Sequence, residues 1–219
     1  MLESQPYHLV RRQMQPGDII AFGGNSLFSR WTKLTTRSAV THVAIVMHTQ
    51  MRDETSQRYF NQVMEATAYD GKRGVMINRL SERIASYDGD IWWLPLAPEA
   101  RQQFDSNRTA FFDFMFAQHG KEYDVLQLFG SAVDVIDDHP VFGRLSYNNE
   151  EFSSWFCSEL VAEGLETAGI VSGVNASEVT PVDICRFAIY KGRYTQLKGD
   201  ARPIIGYNTL LADNWGQIA

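Results

Sequence analysis

The chain has 219 residues, 44% of them hydrophobic, which is enough for one sizeable core. Its 20 basic and 26 acidic residues leave a formal charge of -6, so no electrostatic footprint for DNA or RNA is present and no nucleic-acid partner is expected. No run reaches the roughly 18 consecutive apolar residues of a membrane span, and MLESQPYHLVRRQMQPGD lacks a signal-peptide core, so a cytoplasmic chain with no integral membrane segment is expected.

Pro16-Gly17-Asp18 is a turn signal ahead of the apolar run Ile19-Ile20-Ala21-Phe22, closed by Gly23-Gly24-Asn25-Ser26, and predicts a buried strand followed by a loop. Leu27, Phe28, Trp31 and Leu34 recur at helical spacing and predict a short helix to position 37, with Arg30, Lys33 and Arg37 outward. Residues 42 to 47, rich in β-branched side chains and led in by Thr41, read as a second buried strand. The polar stretch 49 to 61 reads as a hairpin loop, and 62 to 66, 71 to 77 and 90 to 96 as further strands, giving an antiparallel meander.

Phe104, Phe111, Phe112, Met115 and Phe116 lie at helical spacing and predict one helix from Pro98 to about His119, with Gly120 as its cap. Positions 123 to 149 read as helix plus loop. Residues 153 to 169 form the clearest helix, with Ser153 or Ser154 as N-cap and Gly169 as the stop. Thr180-Pro181-Val182-Asp183-Ile184 reads as a helical turn and 187 to 197 as a last strand region. With no internal repeat, low-complexity tract or linker, the expectation is one α+β domain over 1–219.

Cys157 and Cys185 lie 28 positions apart, outside any zinc-ligand spacing, and are expected to be free thiols rather than a disulfide or metal site. The predicted helix puts Cys157 in its first turn, where free N–H groups and the dipole stabilise a thiolate. A buried cysteine also packs well as a small hydrophobe, so position alone leaves a core thiol and a nucleophile equally open.

A nucleophilic thiolate needs a base, and the five histidines are His8, His42, His48, His119 and His139. His8 falls in a terminus read as loose, and His119 and His139 adjoin Gly120 and Pro140 at a helix end and in a loop. His42 opens an apolar strand, where an imidazole can point from the sheet end; a structural histidine is the plainer alternative. His48, six residues on, would share its face by period two at roughly 20 Å, too far for one metal. Glu65 is an isolated carboxylate in an apolar run, either a third group that orients the imidazole or an outward side chain of an edge strand.

Pro-Gly-Asp-Ile-Ile at 16–20, Thr-His-Val-Ala-Ile-Val at 41–46, Met-Glu-Ala at 64–66, Phe-Cys-Ser-Glu-Leu-Val at 156–161 and Thr-Pro-Val-Asp-Ile at 180–184 occur in this order. The ordered set resembles the circularly permuted NlpC-type papain-like enzymes, in which histidine precedes cysteine; relatives include lecithin retinol acyltransferase-like proteins. The resemblance spans about residues 16 to 185. It implies a papain-like fold with a small antiparallel sheet or barrel packed on the cysteine helix, and a triad of Cys157, His42 and Glu65. The chain departs from simple members in its aromatic-rich insert at about 98–149, which could cover the site or shape a pocket.

The reaction so implied is that of a cysteine hydrolase, an amidase, peptidase, ester or thioester hydrolase, or an acyltransferase, working through a thioacyl enzyme on a small-molecule, peptide or acyl-lipid substrate. His42 takes the thiol proton, Glu65 holds the ring, and the backbone N–H of Cys157 at the helix start meets the oxyanion. No cofactor and no metal are required. Arg30, Lys33 and Arg37 read as a solvated face, Trp92, Trp93 and the phenylalanines as core, and Asp134, Asp137 and Asp138 lack the pattern of a calcium loop. Cys185 is expected to be inert. The competing readings are a noncatalytic papain-like module that binds a peptide or lipid, and a leaderless or phage-type peptidoglycan hydrolase.

Overall fold

The computed structural model describes residues 2–24, 39–121, 149–190 and 193–204. The helix predicted over 27–37 with its basic trio, and the stretch 123–148 with Asp134, Asp137, Asp138 and His139, lie outside the described residues.

The hydrophobic runs come together as one sheet. Ile19–Gly24 (β2), His42–Arg52 (β3), Tyr59–Tyr69 (β4) and Lys72–Arg79 (β5) form the expected antiparallel meander. Gly89–Leu94 (β6), expected to continue the meander, pairs instead with the free side of β2, and Tyr194–Lys198 (β7), shorter than the strand region expected over 187–197, pairs antiparallel with β6. Leu2–Ser4 (β1) adds a parallel strand beside β7, so the order is β1-β7-β6-β2-β3-β4-β5. The amino terminus is therefore tied down rather than loose, and Tyr7–Val10 (α1), which carries His8, follows it.

Two strand lengths differ from expectation. β3 and β4 run on into the polar stretch read as a loop, because ladder hydrogen bonds continue through Met51↔Phe60 and Arg52↔Tyr59, and only residues 53–58 turn. The β4–β5 turn is carried by Asp70 and Gly71, both at positive φ (51° and 72°), the backbone that a tight two-residue hairpin demands.

The sheet buries both faces. On one, Ile19, Val43, Ile45, Met64, Ala66, Trp92 and Leu94 pack with Asn149–Thr167 (α5) and with Pro181–Arg186 (α6). On the other, Ile20, Phe22, Ala44, Val46, Val63 and Trp93 pack with Val10 and Met14 and with Leu80–Ser86 (α2), a helix the sequence reading left unassigned. Alternate side chains of β2 and β3 divide cleanly between these clusters, as the period of a strand requires.

The single helix predicted from Pro98 is two, Pro98–Ser106 (α3) and Arg108–Gln118 (α4), broken at Asn107, whose Nδ2 donates to the carbonyl of Ala168 at 3.1 Å. Phe104, Phe111 and Met115 are core residues, and a Cβ at Gly164 of α5 would come within 2.9 Å of the Met115 sulfur. This part of the insert packs into the body of the fold and against the helix of Cys157; Phe116 is left exposed. α5 ends as expected at Gly169 (φ 65°), with Ile170 N–H donating to Leu165 O at 3.0 Å. α6 opens on Thr180 with a reciprocal capping box to Asp183.

Candidate active site

β4 is flanked by β3 and β5, so Glu65 is not on an edge. Met64 and Ala66 point into the α5 side, and Glu65 therefore points to the opposite one, where it has no solvent exposure. Four hydrogen bonds compensate for taking that carboxylate out of water. His42 Nε2 lies 2.7 Å from Oε2, Asn78 Nδ2 donates to Oε1 at 2.9 Å, and Arg83 donates from Nε to Oε1 at 2.6 Å and from Nη2 to Oε2 at 3.0 Å. Burial opposes the charge on Glu65, but the hydrogen bond and charge of His42 and then those of Arg83 prevail, and its pKa falls to about 2.

An ionised carboxylate only accepts, so His42 carries its proton on Nε2 and presents Nδ1 elsewhere. His42 is the first residue of β3. Its ring lies 5.3 Å from that of Phe22, in the cluster under α2, and it also feels Cys157, which belongs to the cluster under α5. Burial pushes the imidazole down; the charge of Cys157 and its hydrogen bond, followed by the hydrogen bond and charge of Glu65, overcome this and raise the pKa to about 9. The structure thus brings Cys157, His42 and Glu65 into one connected set.

The position of Cys157 on its helix differs from expectation. α5 begins at Asn149, so Ser153 and Ser154 are inside it and Cys157 is its ninth residue, in the third turn. The dipole acts within the first turn, and an interior N–H is engaged by the carbonyl four residues back, so neither the helix start nor the Cys157 N–H serves the thiolate or an oxyanion. The polar neighbour of its side chain is the imidazole of His42. Cys157 also has no exposed surface, as a core cysteine would.

The remaining candidates separate from this set. His48 does not share the face of His42, because register shifts on either side of it turn the ring onto Phe112 and Phe116, at 5.3 Å and 5.8 Å. His8 and His119 are exposed. Cys185 is buried on α6, its thiol donates to Pro181 O at 3.6 Å, and burial followed by the charge of Asp183 pushes its pKa far up. Neither cysteine is part of a disulfide. Among the described residues no three His, Cys, Asp or Glu side chains gather as a metal site, and no helix is long and apolar enough to cross a membrane.

Sequence reasoning missed Arg83 and Asn78. The signal was indirect: an isolated carboxylate inside an apolar run needs a partner if it is buried, and Leu80, Arg83 and Ile84 have the spacing of a short amphipathic helix just beyond β5.

No family model matches the chain, and no curated protein matches its sequence. Among solved structures it is similar to the metalloprotein yiiX from Escherichia coli O157:H7, with 22% identity over 71% of this chain and 67% of that one and a TM-score of 0.40.

Proposed function

We propose that the chain is a cysteine hydrolase or acyltransferase with the permuted NlpC-type papain-like architecture that its ordered motifs resemble. The observation that carries this reading is the continuous polar path from Glu65 through His42 to Cys157, in which the ring is held by Glu65 at 2.7 Å and hydrogen-bonds with Cys157. His42 accepts the Cys157 proton at Nδ1, and Sγ attacks an amide, ester or thioester carbonyl. The imidazolium returns the proton to the leaving group, and water or an acyl acceptor, deprotonated by the neutral ring, releases the thioacyl enzyme. Glu65 keeps the reacting nitrogen in place through both halves. The substrate class is a small-molecule, peptide or acyl-lipid carbonyl compound, and no cofactor enters any of these steps.

One observation favours a second reading, a noncatalytic module on the same scaffold: Cys157 is fully buried, so a carbonyl reaches Sγ only if the surrounding chain opens. Intact-mass spectrometry after brief exposure to a reactive aryl ester separates the two. A single acyl adduct on Cys157, lost on standing and never formed by Cys157→Ser, supports the hydrolase; no adduct, or one on Cys185 alone, supports the module.

A further inference from the structure

The least exposed carboxylate of the site is held by a cation that no motif contains. Arg83 lies one turn into α2 with its side chain 7% exposed, and the helix packs it over the face of the sheet that carries Glu65 and His42. Its guanidinium reaches both carboxylate oxygens, Oε1 at 2.6 Å and Oε2 at 3.0 Å. Three rings enclose the fork, with centroids at 4.5 Å for Tyr69, 5.5 Å for Phe22 and 5.8 Å for Tyr87. Phe22 touches the His42 ring as well, so the cage and the base share a wall.

We propose that Arg83 is the positioning residue of this site, acting on His42 only through Glu65 by fixing the plane of that carboxylate so that Oε2 faces Nε2. Resting on the proposed Cys-His-Glu reading, this adds a fourth member to it. Two parallel donors stop the carboxylate from rotating, because a turn about its last bond breaks both at once. Arginine also stays charged at any working pH, which keeps the buried acid ionised without exposing it to water. A lysine in the same place keeps the charge and loses the fork, so it separates geometry from electrostatics. The flanking Asn78 bond to Oε1 closes the remaining side of the acid, and Oε2 is shared by Arg83 Nη2 and the ring.

The test is a double-substitution cycle read by histidine NMR: the His42 titration midpoint in the wild type, Arg83→Lys, Glu65→Gln and Glu65→Gln/Arg83→Lys, each checked for folding by circular dichroism. With the fork lost, the His42 midpoint moves down by about one pH unit, a tenfold change, and alkylation of Cys157 at pH 6 slows by about the same factor. In the Glu65→Gln background the lysine has no further effect, since the path through the carboxylate is gone. An unmoved midpoint in Arg83→Lys, with only a lower Tm, overturns the proposal, and so does an equal shift in both backgrounds. Should Arg83→Lys fail to fold, Tyr69→Leu removes one wall of the cage from a half-buried position, and the proposal requires a downward shift there too. A Cys157 that proves unreactive in the wild type sinks the hydrolase reading alone, because the His42 midpoints are measured without turnover.

Discussion

Glu65 Oε2 lies 2.7 Å from His42 Nε2, and since the buried carboxylate is ionised, Nδ1 is the nitrogen left to exchange a proton with Cys157. Glu65→Gln keeps the size of the side chain but lets an amide present either a donor or an acceptor to the ring. The expected result is a loss of roughly 10²-fold or more in acylation of Cys157, with the His42 ring showing mixed tautomers by nitrogen NMR. An unchanged tautomer and unchanged rate contradict the orienting role.

Cys157 is the main influence that keeps the His42 imidazole charged. His42 stands near 9 chiefly because of Cys157, with Glu65 the smaller influence. Capping Sγ as a neutral thioether removes the larger one, so the His42 midpoint falls by at least about one pH unit after alkylation. A midpoint that stays near 9 after capping shows that Cys157 is not the partner.

Acid stability follows from Glu65, whose folded pKa of about 2 lies below its ordinary 4.5. Below pH 4.5 the unfolded chain takes up a proton that the folded one refuses, so stability falls as pH drops through this window and is fully present above it. The contribution is of the order of 3 kcal/mol. Denaturant titrations from pH 5 to pH 2.5 should show that loss in the wild type and a flatter profile in Glu65→Gln; equal slopes sink the assignment.

Asp18 gives a stability control outside the chemistry. Its carboxylate accepts from Trp93 Nε1 at 2.9 Å, Gln15 N at 2.9 Å, Leu96 N at 3.2 Å and Arg101 Nη2 at 2.5 Å, tying β2 to β6 and α3. Asp18→Ala strands these donors and costs about 3–5 kcal/mol in chemical denaturation. The Cys157 alkylation profile of the folded fraction should remain that of the wild type. A variant that is fully stable, or whose Cys157 profile shifts, contradicts the division between scaffold and site.

The meander and the buried strands were legible because their signals are local. Ile19-Ile20-Ala21-Phe22 and His42-Val43-Ala44-Ile45-Val46-Met47 have turn residues at one end and β-branched interiors, and Asp70-Gly71 supplies the two positive φ values of its hairpin. The three candidate site residues were legible from residue type and order. What escaped depends on distant chain: β1 exists only because β7 lies beside it, and Arg83 is drawn inward by an acid 18 positions away. The start of α5 was misplaced because Ser153 and Ser154 look like caps, yet Asn149, Glu150 and Glu151 extend the helix ahead of them. With the helix starting at Asn149, Cys157 lies in its third turn, away from the dipole and beside His42.

The most direct measurement is the rate of alkylation of Cys157 and Cys185 from pH 5 to pH 10, read by peptide mass spectrometry in the wild type and in His42→Ala. The thiolate–imidazole reading predicts that Cys157 outpaces Cys185 throughout and loses roughly 10²-fold or more of its rate at pH 6 without His42. A Cys157 that reacts no faster than Cys185, or that is indifferent to His42, contradicts it and leaves a core thiol in a binding module.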